Sequence, residues 1–261
     1  MKSFNFKSAT NSKEAVKLSS NRSAFLAGGM TLLPAIKLRL AAYSDLINIK
    51  KIKSLSGIKA SSKSLRIGST TTHAEVANSK EVGKSIPSLA VLADGIGDPQ
   101  VRNRGTIGGS IANNDPAADY PSACLALNAT IHTNKRKISA DKFFKGMFET
   151  DLKKGELIET VEFEIPEKSA YAKFPNPASR YAVVGVYIAK LKTGVRVSVT
   201  GVESCVFRCK KLEDALSDNF STSAIDNVNI SSKGFNADIH ASAEYRAHII
   251  KVMAKKAVSS C

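Results

Sequence analysis

Hydrophobic residues occur along this chain in short runs whose spacing predicts strands that alternate with helices. Residues 4–6, 25–27 and 46–49 are brief apolar runs typical of strands. Residues 32–40 instead have helical spacing, with a proline near the start. Another helix is predicted from Ser12, as its cap, to about residue 19. The first fifty residues therefore mix both kinds of element.

The same mixture continues through the middle of the chain. Thr72 and Glu75 have the spacing of a capping box, in which each side chain accepts a bond from the other residue's backbone N–H at the start of a helix. The other predicted elements are strands at residues 65–68, 129–133 and 156–165 and helices at residues 87–96 and 119–127.

The last third of the chain begins after a proline-containing segment at Pro175 and Pro177. Two strands joined by the hairpin signal Thr193-Gly194 are predicted after it, and two helices follow. Their ranges are 182–191 and 195–202 for the strands and 211–216 and 241–258 for the helices. We therefore predict two domains, residues 1–175 and 176–261, in a mixed α+β (α/β) fold.

Composition excludes two broad classes of protein. Of the 261 residues, 43% are hydrophobic, which is too many for a globally disordered chain. No apolar run approaches the roughly 18 residues that a membrane-spanning helix needs. The N-terminus also has no apolar stretch followed by small residues at a cleavage site, so we expect no secretory signal and a cytoplasmic protein.

The net charge of +15 raises the question of an anionic partner. The basic residues are spread along the chain, with no basic tail and no aromatic residues interleaved with arginine, so nucleic-acid binding is not predicted. A solvated, lysine-rich surface is expected, and a docking face for an acidic subunit is the alternative. The four cysteines and four histidines lack metal-ligand spacing, so no metal site is expected.

Two diglycine segments hold the candidate chemistry, AGGMT at residues 27–31 and TIGGS at residues 106–110. Glycine allows close backbone approach, and successive N–H groups can surround an anion such as phosphate. Two such segments suit the two phosphates of a dinucleotide. Neither is a Rossmann or P-loop pattern, and a diglycine on its own is more often a tight turn.

With their flanking residues these segments become specific. AGGMTLLPAIKLRLA and IGDPQVRNRGTIGGSIANNDPAADYPSACLALNATI resemble the FAD-binding medium subunits of molybdenum hydroxylases, the family of the aerobic carbon monoxide dehydrogenase and xanthine dehydrogenase flavin subunits. The resemblance extends through KFPNPASRYAVVGVYIA and IHASAEYRAHI. It implies an FAD-binding domain of the type shared with vanillyl-alcohol oxidase and p-cresol methylhydroxylase (PCMH type), then a small C-terminal domain of the carbon monoxide dehydrogenase flavoprotein type, with antiparallel strands and helices.

The resemblance also implies where FAD binds. The pyrophosphate would lie on both diglycine loops, Asp119 would meet sugar hydroxyls, Asn113 would make a polar contact, and Tyr181 and the strand at Ile158 would lie near the flavin ring. The implied cofactor-binding residues are Ala27, Gly28, Gly29, Met30, Thr31, Thr106, Ile107, Gly108, Gly109, Ser110, Asn113, Asp119, Ile158 and Tyr181.

Several of these residues have a second interpretation. Asp119 precedes a predicted helix and could cap it, Asp115 could serve a turn, and Tyr181 could be a core aromatic. Met30 stands where the family usually has a polar residue, so its phosphate contact would depend on backbone N–H groups and Thr31. We expect weaker binding there, without loss of the cofactor.

By resemblance, the chain carries non-covalently bound FAD within a heterotrimeric oxidoreductase, a dimer of trimers. A large subunit with a molybdenum cofactor would oxidise the substrate, a small subunit with [2Fe–2S] clusters would relay electrons, and the FAD would pass them to an external acceptor. The sequence contains no evident nucleophile–base pair or acid–base dyad, which suits a subunit whose chemistry belongs to its cofactor. The alternative hypothesis is a non-redox scaffold or regulatory homologue that has lost FAD.

Overall fold

A three-stranded parallel sheet forms the first part of the protein in the computed structural model, which describes residues 2–261. Its central strand pairs with both of the others, and two short helices connect the strands. The elements are β1 (Asn5–Ser8), α1 (Ser12–Leu18), β2 (Ser23–Leu26), α2 (Leu32–Lys37) and β3 (Asp45–Asn48), in the sheet order β1-β3-β2.

A five-stranded antiparallel sheet follows, in the order β4-β5-β10-β6-β7. Six helices lie between its second and third strands in the chain. The strands are β4 (Ile58–Ala60), β5 (Ser64–Gly68), β6 (Thr130–Thr133), β7 (Lys137–Ser139), β8 (Phe144–Gly146), β9 (Glu149–Thr150) and β10 (Ile158–Glu164), of which β8 and β9 form a separate hairpin. The helices are α3 (His73–Ala77), α4 (Lys80–Ser85), α5 (Pro87–Asp94), α6 (Pro99–Arg104), α7 (Ile107–Asn113), α8 (Tyr120–Ala126) and α9 (Ala140–Phe143), the last of them after β7.

The C-terminal part is a four-stranded antiparallel sheet with two helices. The predicted hairpin is confirmed, since its two strands pair from Leu191–Gly194 to Gly185–Thr200. The elements are β11 (Lys168–Pro175), β12 (Ala182–Leu191), β13 (Gly194–Thr200), β14 (Phe207–Arg208), α10 (Lys210–Asp218) and α11 (Ala243–Ser259), and short 3-10 turns occur at Lys53–Leu55 and Ser223–Ile225.

The mixed α/β class is confirmed. The largest core fills the space between the five-stranded sheet and helices α3, α4, α5, α7 and α8, and a second core lies between β11–β13 and helices α10 and α11. Tyr187, Ala189 and Leu191 of β12 belong to the first core, so the two parts share packing. The boundary at residue 175 stays a prediction. The four-stranded C-terminal sheet already includes Lys168–Pro175.

Several element ends differ from those the pattern predicts. Asn11, not Ser12, caps α1, since its side chain accepts from the N–H of Glu14 at 2.9 Å. Helix α2 stops at Lys37, short of the predicted residue 40, because Arg39 adopts a left-handed φ of 60°. The capping box of Thr72 and Glu75 is confirmed. No helix among residues 2–261 is long and apolar enough to cross a membrane.

Candidate functional site

The first diglycine segment is the connection from β2 to α2. Gly28 is buried, and a Cβ there would collide with the carbonyl of Arg104, so only glycine fits. Gly29 has a φ of +76°, the left-handed region that glycine adopts at no steric cost. Within the described chain, the backbone N–H groups of residues 28–31 donate to no protein acceptor. The loop therefore offers successive free donors, as an anion requires.

The second diglycine segment begins α7 and differs in one respect. Thr106 caps the helix, its Oγ1 accepting from the Gly109 N–H at 3.2 Å. The N–H groups of Ile107 and Gly108 donate to the carbonyls of Thr71 and Ser69 at 3.1 and 2.9 Å.

The backbone donors of residues 107–109 are thus already engaged within the protein, and the Ser110 N–H donates to the carbonyl of Thr106 at 3.0 Å. We expected both loops to supply free donors, and the structure corrects this for the second. Gly109 is nevertheless exposed, and a Cβ there would meet only the Thr106 Oγ1, at 3.0 Å. The second loop therefore permits close approach of a ligand without supplying its N–H groups.

The structure brings the two loops together. Gly28 lies against the backbone of Arg104 and Gly105, immediately before the second diglycine segment. The second segment is in turn held to the loop after β5 by a bridge between Thr72 and Thr106. The two diglycine segments are thus held close to each other through the buried contact of Gly28 with Gly105.

A buried histidine supports this junction. His73 begins α3, is 5% exposed, and donates its backbone N–H to the carbonyl of Gly105 at 3.0 Å. A Cβ on Gly105 would lie 2.6 Å from the His73 Nε2. Burial, and secondarily the charge of Arg102, lower the pKa of His73 to about 4, so the ring is neutral at pH 7. Its Nδ1 has no protein partner in the described structure.

Asp119 lies deeper than the sequence suggests. It is 5% exposed, and its carboxylate accepts from the Tyr171 hydroxyl and pairs with the Lys173 ammonium at 3.1 Å. Burial raises the pKa of Asp119, an effect that Lys173 and Tyr171 partly offset. Asp119 makes no side-chain capping bond, so the alternative interpretation is wrong. Both carboxylate oxygens are occupied by protein donors, so its contact with a sugar stays a prediction that would require this pair to rearrange.

Asn114 is a structural residue that sequence reasoning missed. It ends α7 in a left-handed conformation with φ 45° and is 1% exposed. Its amide donates to the carbonyls of Gly146 and Glu149, both at 2.8 Å, and lies 3.4 Å from the Cys205 sulfur. The asparagine after a diglycine helix was a signal, since asparagine tolerates left-handed φ better than most residues. Asn113, the predicted contact, is only partly buried and makes no side-chain hydrogen bond within the described residues.

Asp115 serves a turn, as the alternative proposed, since its Oδ1 accepts from the Ala117 N–H at 2.9 Å. Tyr181 is 45% exposed, so it is not a core aromatic. Partial burial, and secondarily the charges of Asp115 and Asp119, raise the pKa of Tyr181. The backbone N–H of Ala182 donates to the carbonyl of Ala117, so Tyr181 lies beside the 115–119 segment.

Ile158 is 4% exposed and packs in the first core at the start of β10. Its side chain therefore does not reach the surface formed by the diglycine loops, and any contact with a ligand there would be through its backbone. Among residues 2–261 no group of three metal-ligating side chains is close enough to hold an ion.

Comparison with known proteins bears on what this region binds. Residues 2–168 match the family described as the FAD binding domain in molybdopterin dehydrogenase. The chain belongs to this family. The glyceraldehyde dehydrogenase medium chain of Sulfolobus acidocaldarius is 33% identical, over 97% of this chain and 96% of its own. The carbon monoxide dehydrogenase medium chain of Hydrogenophaga pseudoflava is 36% identical over 70% of this chain and 68% of its own.

A solved structure of carbon monoxide dehydrogenase from Oligotropha carboxidovorans also matches this FAD-binding chain over almost its whole length. The TM-score is 0.91 at 26% identity, covering 99% of this chain and 97% of that one. The resemblance that the sequence motifs suggested is thereby confirmed, and FAD is the cofactor of this subunit family. The free N–H groups of residues 28–31 and the open side of Gly109 fit the anionic pyrophosphate of that cofactor.

Proposed function

We propose that the chain is the flavin-bearing, electron-transfer subunit of a heterotrimeric molybdenum hydroxylase. A small [2Fe–2S] subunit supplies the electrons, a large molybdenum-cofactor subunit oxidises the substrate, and an external acceptor receives the electrons. The complex is a dimer of such trimers. Similarity to medium chains of glyceraldehyde and carbon monoxide dehydrogenases supports this assembly.

One observation carries the assignment of the flavin site: residues 28–31 have four successive free N–H groups, and Gly28 of this run packs against Arg104 and Gly105, just before the second diglycine segment. Met30 and Thr31 are exposed, Gly29 is half-buried and Gly28 is buried. Because none of their N–H groups has a protein acceptor, an anion can bind here without first breaking protein hydrogen bonds. We assign the pyrophosphate contacts to the backbone of residues 28–31. When bound, FAD supplies the redox chemistry, and the protein fixes its position and its surroundings.

The second loop has a different part in this proposal. Thr106 holds the start of α7, and Gly109 leaves room at its surface. Glycine at this position lets the pyrophosphate approach the helix, as a larger side chain would not. We assign the border of the flavin ring to Tyr181, which is 45% exposed and next to Ala182, whose N–H bonds to the carbonyl of Ala117. None of these contacts needs a covalent link, so the FAD is held non-covalently.

The scaffold hypothesis gains no support from the site. Met30 was the one feature in its favour, and its side chain is 39% exposed beside free backbone donors. The missing polar side chain therefore removes one contact and leaves the N–H groups in place.

The test is the visible spectrum of the purified chain, alone and co-expressed with its partner subunits. Flavin absorbance, with FAD recovered in the supernatant after heat denaturation, is the expected result. Gly109→Leu should lose the flavin, while Ala112→Leu, at an exposed position of the same helix, should keep it. Thermal unfolding of both variants shows whether they are folded. Absence of flavin from the co-expressed complex would refute the proposal.

A further inference from the structure

The last residue of helix α2 and the three that follow it are all exposed, and we call them the 37–40 ridge: Lys37, Leu38, Arg39 and Leu40. Leu38 is 70% exposed and Leu40 is 78% exposed, so two large apolar side chains lie in solvent within three residues. Lys37 and Arg39 alternate with them and are also exposed. Within the described residues neither cation has an ion-pair or hydrogen-bond partner. The ridge therefore exposes two apolar and two cationic side chains to solvent in one short segment.

The ridge has a fixed backbone. The N–H of Leu38 donates to the carbonyl of Pro34 at 2.9 Å, and that of Leu40 to the carbonyl of Ala35 at 2.9 Å. Arg39 holds a left-handed φ of 60°, a position that glycine usually fills after a helix. Because the backbone is already ordered, binding at the ridge would cost little conformational entropy beyond that of its side chains.

The chain that follows the ridge lines a groove of about 320 Å³, formed by residues 2–5, Arg22 and residues 42–44. Ser44 in this lining donates its N–H and its hydroxyl to the carbonyl of Arg22 at 2.7 and 3.1 Å. The lining includes the cations Lys2 and Arg22 and no carboxylate. The nearby Asp45 is already paired with Lys7 at 2.7 Å.

Ridge and groove together present four cations with no free carboxylate between them, which suits an acidic protein surface with an apolar centre. A second copy of this chain would bring like charges together, so it does not fit. The ridge is also joined to the first diglycine loop by α2 alone. The N–H of Ala35 donates to the carbonyl of Thr31 at 3.1 Å, and six residues of helix span only about 9 Å.

We infer that the 37–40 ridge and its groove dock the acidic face of the iron–sulfur subunit, with Leu38 and Leu40 as the apolar contacts. The inference rests on the proposed function, because it names the partner that delivers electrons to the flavin beside this loop. Two leucines at the centre of an interface, surrounded by cations, match the arrangement in which a few buried side chains supply most of the binding energy.

The experiment titrates the purified flavin-loaded chain with the separately purified iron–sulfur subunit at low and high salt. Leu38→Ser/Leu40→Ser should weaken binding at least ten-fold. Lys37→Glu/Arg39→Glu should weaken it and remove most of its salt dependence. The matched controls are Ile239→Ser, at a residue 95% exposed in the C-terminal part, and Lys233→Glu/Lys256→Glu, which makes the same change in net charge. Both controls should bind as the unaltered chain does.

Flavin content and thermal unfolding are measured on every variant, so that a folding defect is recognised. Hydrogen exchange in the assembled complex gives a second readout, and backbone amides of residues 38–44 should be slowed by the partner. Binding of both ridge variants within two-fold of the unaltered chain, or loss of affinity for only the large subunit, would overturn the inference. Failure of the unaltered chain to hold FAD would instead count against the proposed function, and the same titration with the flavin-free chain would still test the ridge.

Discussion

His73 makes the stability of this protein sensitive to acid, and the size of the effect follows from its surroundings. In the folded chain the pKa of His73 is lowered from 6.5 to about 4 by burial and by Arg102. Between about pH 6.5 and pH 4, His73 is therefore protonated in the unfolded chain and neutral in the folded chain. The stabilising contribution is fully present above about pH 6.5 and is lost as the pH falls toward 4.

The magnitude follows from the two pKa values. One pKa unit corresponds to about 1.4 kcal/mol, so the full difference is worth about 3.4 kcal/mol. Between about pH 7.5 and pH 4.5 the contribution of His73 to the free energy of unfolding should fall by about 2.5 kcal/mol. That is a large share of the roughly 5–15 kcal/mol by which a folded domain is typically stable, so the change can be measured by urea unfolding.

His73→Gln is the perturbation, because glutamine is polar and of similar length but does not titrate. Urea unfolding of both proteins at the two pH values gives four free energies. The variant is expected to be less stable at about pH 7.5, since it loses the ring that packs 5.3 Å from Tyr120. Its further loss at low pH should be smaller than that of the unaltered protein by about 2.5 kcal/mol. Equal losses, within about 0.5 kcal/mol, would refute the reasoning, because every other titrating group is common to both proteins.

Two further substitutions test the packing around the site. Gly28→Ala should displace the first diglycine loop from the carbonyl of Arg104 and lower FAD occupancy several-fold by absorbance, whereas Gly83→Ala, with open space around it, should leave occupancy unchanged. Asp119→Asn should lower the free energy of unfolding by about 3 kcal/mol, since it leaves the Lys173 ammonium buried without its charge partner. Adding Lys173→Met should restore part of that loss in urea unfolding. A double variant whose loss of stability equals the sum of the losses of the two single variants would contradict the pairing.

Local signals in the sequence predicted much of the fold because they act over a few residues. The capping box at Thr72 and the hairpin at Thr193-Gly194 both depend on neighbours within four positions, and both are confirmed. Helix α7 was not predicted. Its two glycines are poor helix formers, and it is held from outside, by bonds to the carbonyls of Ser69 and Thr71.

The chemistry of single residues was harder to predict for the same reason. Asp119 had two sequence-based interpretations, cap or sugar contact, and the structure adds a third, a buried pair with Lys173 fifty-four positions away. Likewise, nothing in the local sequence indicates that the N–H groups of Ile107 and Gly108 bond to carbonyls of the loop after β5. The N–H groups of residues 28–31 have no such acceptors. Motifs predict which segments meet a cofactor, and long-range contacts decide which of their N–H groups remain available.

Helix α8 has a consequence for how this protein is made. All seven of its residues are buried, and it packs on β12 and β13, which follow it by more than fifty residues. The ribosome must therefore release about two hundred residues before the helix next to Asp119 can be covered. Until then its apolar surface is open to chaperones and to aggregation, and the flavin-binding region is incomplete. We therefore expect cofactor loading to follow the synthesis of nearly the whole chain.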